Sequence, residues 1–270
     1  MQNIESKVQN TNSPWTGMVD VDDSSLAVTD TGGTGIPIVY LNGQFANQGY
    51  WRKVIDELGS SFRHITYDER GRGKSKKSAD YSFATCVSDV DIILSARGVN
   101  QVLVAGWSYG AYIAAHWVSQ NPKRTLGALM VDGAYPSNWL DEAMEKRIRK
   151  MFGWMSWFKP LLSPFGIFPK MNAKEMASIN IELGIVSRKS ELSPILDNIC
   201  VPVRYVVASG TSLGSRKGEL EQIRSSLESV IAQNPNIQIS AKVTSNHTSI
   251  LKKDFKAVAD ALRKLCTLDI

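Results

Sequence analysis

The segment of this chain best equipped for chemistry is Gly106-Trp107-Ser108-Tyr109-Gly110. An apolar run, Gln101–Ala105, precedes it and a helix-like run, Ala111–Gln120, follows, so the pentapeptide marks a strand–turn–helix junction. So tight a turn forces its central residue into a strained backbone, and the flanking glycines remove side chains that would collide. Ser108 Oγ is then expected above the end of a sheet, beside a helix N-terminus, as a nucleophile. A hydroxyl is a weak nucleophile at neutral pH and needs a base to take its proton. The chain has three histidines. His116 is on the same helix as Ser108, roughly 12 Å further along the axis, and cannot reach it. His64 opens a strand, toward the opposite edge, and reads as structural. His247, in Ser245-Asn246-His247-Thr248-Ser249, falls between the last strand and the final helix, on the serine's edge, and is the expected base.

The elements that must position these groups alternate. A hairpin is expected over Met18–Asp30, turning near Asp22-Asp23-Ser24-Ser25. Strands are expected over Ile36–Leu41, His64–Tyr67, Gln101–Ala105, Leu126–Val131, Val201–Val207 and Ile237–Val243. Helices are expected over Trp51–Leu58, Ala84–Arg97, Ala111–Gln120, Gly218–Ala232 and Asp254–Cys266. Such alternation implies a mainly parallel sheet with helices on both faces, an α/β fold. It is interrupted once, over 135–191, a stretch that holds three of the seven tryptophans and five of the eight methionines. An insertion after a strand's C-terminal end sits over the active edge of such a sheet. A helical cap is expected there, with 1–134 and 192–270 forming the core. Trp139, Trp154, Trp157 and Phe158 are then candidates to face an apolar substrate, and adaptable methionines suit a pocket for more than one ligand.

Composition narrows the class. With 270 residues, 43% hydrophobic and 21% charged, the chain can bury a large core in one domain. Met1–Asn12 is polar and lacks an apolar signal core, and Met151–Pro169 is broken by Lys159, Pro160, Pro164 and Gly166. Neither a secretory signal nor a membrane span is expected. Cys86, Cys200 and Cys266 are widely spaced and odd in number, which suits reduced thiols in a cytoplasmic protein rather than a disulfide framework or a metal site. The net charge of +5 is concentrated over 135–190, with nine Lys/Arg against five Asp/Glu, and forms no basic stripe of the nucleic-acid kind. Nucleic acid is not an expected partner, and a membrane surface is a minor alternative. The run Arg70, Arg72, Lys74, Lys76 and Lys77 reads as a solvated basic loop.

Taken together, these pieces resemble the α/β-hydrolase superfamily over nearly the whole chain. The resemblance rests on Gly106–Gly110, the loop Leu41-Asn42-Gly43-Gln44, the segment Asp68-Glu69-Arg70-Gly71-Arg72-Gly73, and the His247 loop with the helix that follows. It implies an oxyanion hole made by the backbone N–H groups of Gln44 and Tyr109. Asn42 stands where the family usually has histidine, so hydrogen bonding around that loop must differ. Asn42 and Trp107 are also candidate pocket residues. The family usually places the triad acid after the strand matching Val201–Val207, but Ala208–Lys217 contains no carboxylate. The alternative family position, after the preceding strand, offers Asp132 in Val131-Asp132-Gly133. Glu219 and Glu221 remain as other acids, as does the absence of one. Asp68 and Arg70 are expected to brace their loop.

The function implied is hydrolysis of a carboxylic ester, lactone or thioester of a small apolar acyl group, without cofactor or metal. Ser108 would attack, His247 would shuttle the proton and Asp132 would orient it. A non-hydrolytic ligand receptor on the same fold, and carbon–carbon bond hydrolysis, are the competing readings.

Overall fold

Where a strand is covered on both faces it has no polar side, and its sequence runs apolar without alternation. Val102–Trp107 and Val203–Ala208 are of this kind, buried at every position, whereas Trp15–Val21 has largely exposed and half-buried positions. In the computed structural model, which describes residues 12–155, 169–210 and 219–267, the first two lie inside a sheet and the third at its edge. The strands are β1 (Trp15–Val21), β2 (Ser24–Asp30), β3 (Ile36–Leu41), β4 (Phe62–Tyr67), β5 (Val102–Trp107), β6 (Thr125–Val131), β7 (Val203–Ala208) and β8 (Ile237–Val243). They form one eight-stranded sheet in the order β1-β2-β4-β3-β5-β6-β7-β8. β1 pairs with β2, and β2 with β4, antiparallel; every other pair is parallel. The expected mostly parallel α/β sheet is thus present.

Among the described residues, the helices of seven residues or more are α1 (Arg52–Leu58), α2 (Phe83–Ala96), α3 (Tyr109–Gln120), α4 (Glu142–Met155), α5 (Ala173–Val186), α6 (Lys189–Asp197), α7 (Glu219–Gln233) and α8 (Phe255–Cys266). α1 and α8 close one face of the sheet around Trp51, Val54, Leu129, Val258 and Leu262. Val258, Leu262 and Leu265 recur at helical spacing, and each buried aliphatic side chain contributes about 1.5–3 kcal/mol. α2 and α3 cover the other face, where the core runs on into α4 and α5 through Ile148, Phe152, Met176 and Ile179. α3 begins directly at Tyr109, two residues earlier than its pattern suggests, because the turn consists of Ser108 alone.

The stretch after β6 is helical, as α4, α5 and the start of α6. α5 opens with a capping box in which Asn172 and Glu175 satisfy each other's backbone amides. α6 runs through position 191. Among the described residues no helix is long and apolar enough to cross a membrane, and no group of three or more His, Cys, Asp or Glu could hold a metal ion. Cys86, Cys200 and Cys266 are free.

The loop after β4 departs from its solvated reading. Lys74, Lys76 and Lys77 are exposed, but Arg70 and Arg72 are buried. Arg70 meets Asp89, Asp22 and Asp23, tying the loop to α2 and to the β1–β2 turn. Asp68 accepts from the backbone N–H groups of Gln48 and Lys74, a bracing role as expected.

Candidate active site

β3 and β5 are neighbours whose following chain departs in opposite directions across the sheet, and clefts form at such switch points beyond the strands' C-terminal ends. Three loops converge there. After β5, Ser108 has φ 54° and ψ −115°, a backbone that L-residues rarely adopt. The glycines around it make this possible: a Cβ on Gly106 would lie 2.3 Å from the Gly110 carbonyl oxygen, and one on Gly110 2.2 Å from that of Leu41. After β6, Asp132 and Ala134 also have positive φ, at 44° and 58°. Gly133 between them packs so closely that a Cβ would lie 2.4 Å from the Ser108 carbonyl oxygen. After β8, the third loop carries His247, and its carbonyl accepts from Trp107 Nε1 at 3.2 Å.

These loops bring three side chains into a chain of hydrogen bonds. His247 Nε2 lies 2.8 Å from Ser108 Oγ, and His247 Nδ1 lies 2.8 Å from Asp132 Oδ2. An ionised carboxylate only accepts, so Nδ1 carries the proton and Nε2 keeps a lone pair facing the serine hydroxyl. Burial works to raise the pKa of Asp132, but hydrogen bonds from His247 and Arg224 outweigh it and hold the carboxyl below its ordinary value. Asp132 Oδ1 also accepts from Tyr135 Oη at 2.9 Å and from the Ala208 N–H at 3.2 Å. Arg224, from α7, spans the carboxylate with Nε 3.1 Å from Oδ1 and Nη2 3.0 Å from Oδ2. Neither Arg224 nor Tyr135 is marked by any motif; only the β6 position of the acid hints that β7 and α7 would supply its partners.

A cavity of about 260 Å³ opens onto Ser108 and His247, walled by Tyr112, Tyr135, Trp139, Leu183, Ile223 and Arg224. Of the aromatics expected to face a substrate, Trp139 is in this wall. Trp154 is not: it stands 66% exposed on α4, because that helix turns only the stripe of Ile148 and Phe152 inward. Trp157 and Phe158 lie outside the described residues. Trp107 is not in the wall either; its ring stacks on Tyr50 at 5.3 Å and braces the histidine loop. Asn42 is fully buried and also lies away from the cavity. Its backbone N–H and its Nδ2 both donate to Glu69, and Nδ2 also to the Tyr67 carbonyl. Burial raises the pKa of Glu69, partly offset by Arg72.

The loop after β3 is held from below. Arg72 Nε donates to the Gln44 carbonyl at 2.5 Å, and Phe45 packs edge-on against Phe152 of α4 with ring centroids 5.7 Å apart. The backbone N–H groups of Gln44 and Tyr109 make no hydrogen bond to another described residue. The other two histidines are occupied elsewhere. His64 bonds Tyr40 Oη and the Gly59 carbonyl. His116 packs against Phe83 with its pKa lowered to about 4 by burial. The side chains of Glu219 and Glu221 lie outside the described set.

An eight-stranded, mostly parallel sheet with a serine at a strained strand–helix turn and a histidine after the last strand defines a class. Residues 36–171, half of the chain, match the family model of the alpha/beta hydrolase fold, and the chain belongs to that family. A haloalkane dehalogenase of Mesorhizobium japonicum is 28% identical over 141 residues, which cover 52% of this chain and 46% of the relative. The chain spans about half the length of the first curated relatives it matches. Among solved structures, an esterase from Thermogutta terrifontis is superposed with a TM-score of 0.69 at 17% identity, covering 94% of this chain and 100% of the other. An alpha/beta hydrolase from a Medee basin deep-sea metagenome gives a TM-score of 0.73, also at 17% identity, over 94% and 98%. At such identities the likeness speaks to the fold.

Proposed function

We propose that the chain is a serine hydrolase cleaving short-chain carboxylic esters or related acyl bonds, with Ser108, His247 and Asp132 as its triad. The observation that carries this reading is the continuous path from Ser108 Oγ through His247 to Asp132, with 2.8 Å at both links. As Ser108 Oγ attacks the acyl carbon, His247 Nε2 takes its proton and Asp132 stabilises the resulting imidazolium. The imidazolium then returns that proton to the leaving oxygen or sulfur. Water, deprotonated by the same nitrogen, releases the acyl group from Ser108.

The oxyanion is assigned to the Gln44 and Tyr109 N–H groups. Their lack of partners among the described residues and the Arg72 clamp on Gln44 support this, since preorganised donors stabilise developing charge without reorganising. The cavity is small beside typical ligand pockets of about 300–1,000 Å³ and mostly apolar-walled, which favours a short acyl group. The described helices α4 and α5 act as its lid, with Trp139 and Leu183 closing the wall.

The test is intact-mass labelling with a fluorophosphonate, which needs no knowledge of the natural substrate. A single adduct on the native chain, absent from Ser108→Ala, is expected. A folded native chain that takes up neither the fluorophosphonate nor a small acylating ester would favour a ligand receptor instead.

A further inference from the structure

The acid of this site is held by two different cations. One is transient, the imidazolium formed during turnover. The other, Arg224, is permanent. Its guanidinium meets both carboxylate oxygens, and the two side chains are 11% and 1% exposed. Asp132 Oδ2 serves His247 Nδ1 and Arg224 Nη2 together, at 2.8 and 3.0 Å. A carboxylate with no other partner lends its whole charge to an adjacent imidazolium. Here a fixed positive charge has already offset much of it.

Resting on the triad reading above, we propose that Arg224 is a positioning residue for His247 acting through Asp132: it locks the acid's rotamer and offsets its charge, so that the imidazole keeps its lone pair for Ser108 in mildly acidic solution. Two donors sharing one oxygen bring the charges of Arg224 and an imidazolium close enough for their repulsion to oppose protonation of the histidine. Among the described residues, Asp132 and Arg224 are the charged groups in the cavity wall besides the imidazole. Tyr112 on α3 is pushed up to about 12 by burial, and Tyr135 after β6 and Tyr205 on β7 are also raised, so all three stay neutral. Asp254, before α8, is turned to the Ser245 N–H behind the histidine loop. Trp139 and α5's Leu183 bring no charge to this wall. Lys189 of α6 belongs to the neighbouring polar cleft, beyond Trp139 and Ile223.

The fork geometry matters as well as the charge. A guanidinium binds both oxygens in one plane, whereas an ammonium is a single point of charge. Arg224→Lys therefore separates the two effects, and Arg224→Met removes both.

The experiment is the rate of fluorophosphonate labelling, and kcat/KM on a short-chain p-nitrophenyl ester, from about pH 5 to 9 in each variant, with folding checked by thermal melting. The acid limb of both profiles is expected to move up by about one pH unit or more in Arg224→Met, and by less in Arg224→Lys. A uniform rate loss with the limb unmoved would reduce Arg224 to a structural strut and overturn the proposal. A loss confined to anionic esters at every pH would overturn it in favour of substrate binding. If Arg224→Met does not fold, Arg224→Gln against Arg224→Lys makes the same comparison. Failure of the underlying reading looks different: the native chain would not label, or Ser108→Ala would label as well.

Discussion

Asp132→Asn is the sharpest single perturbation of this site. The carboxylate receives five donors: His247 Nδ1 and Arg224 Nη2 on Oδ2, and Tyr135 Oη, Arg224 Nε and the Ala208 N–H on Oδ1. An amide has one oxygen, so its NH₂ must face donors whichever way it turns. Placed at Oδ2, it forces His247 to accept on Nδ1, which puts the proton on Nε2 and leaves Ser108 without a base. Placed at Oδ1, it opposes Arg224 Nε and the Ala208 N–H, neither of which can accept. The wrong imidazole tautomer costs about 10⁴ in kcat in triads of this kind. Breaking a buried ion pair from one side costs about 3 kcal/mol, or roughly 5–10 °C in melting temperature. The assay is kcat on a short-chain p-nitrophenyl ester beside a thermal melt, with Glu219→Gln and Glu221→Gln in parallel. A folded Asp132→Asn within tenfold of native kcat would refute the reasoning, as would a loss of about 10³ in either glutamate variant.

Two further outcomes follow from the surroundings of the site. The pKa of His116 is lowered to about 4 in the folded chain against 6.5 when unfolded, so the unfolded chain binds the extra proton between those values. Its contribution to stability is full above pH 6.5 and lost as pH falls to about 4, by up to about 3 kcal/mol; His116→Phe is expected to flatten urea-unfolding stability across that window. Leu183→Ala enlarges the cavity wall, and the ratio of kcat/KM for hexanoyl over butanoyl esters is expected to rise about tenfold; an unchanged ratio would remove Leu183 from the acyl subsite.

The order of strands and helices was legible because buried parallel strands and their covering helices differ in length, period and turn residues. The serine turn was legible for a related reason: Gly106 and Gly110 are both required by backbone contacts near 2.3 Å, so the turn writes itself locally into the chain. His247 could be chosen by elimination. The acid could not, since a carboxylate at a strand end reads the same whether it caps a turn or meets a histidine. Arg224 left no trace at all, being 92 residues from Asp132 on a helix whose pattern reports only its own amphipathicity. Of the pocket candidates, Trp139 lines the cavity, whereas Asn42, Trp107 and Trp154 do not, for the same reason. Asn42 is occupied by Glu69, 27 residues away, and nothing in the spacing of Trp154 shows which way α4 turns it.

The three side chains of the site do not share one foundation. Ser108 donates its N–H to the Val131 carbonyl at 3.0 Å, and Gly133 seats directly on the Ser108 carbonyl, so the proposed nucleophile and acid, Ser108 and Asp132, share a single frame. The proposed base hangs apart, on a loop tied by the Trp107 indole, by Asp254 and Gly210 at Ser245, and by bonds between Asn246 and Ser249, with its side chain 32% exposed. On this geometry the histidine loop is expected to loosen first on warming, so ester hydrolysis would be lost at a lower temperature than the thermal melt of the sheet; activity and melting that fall together would remove this reading.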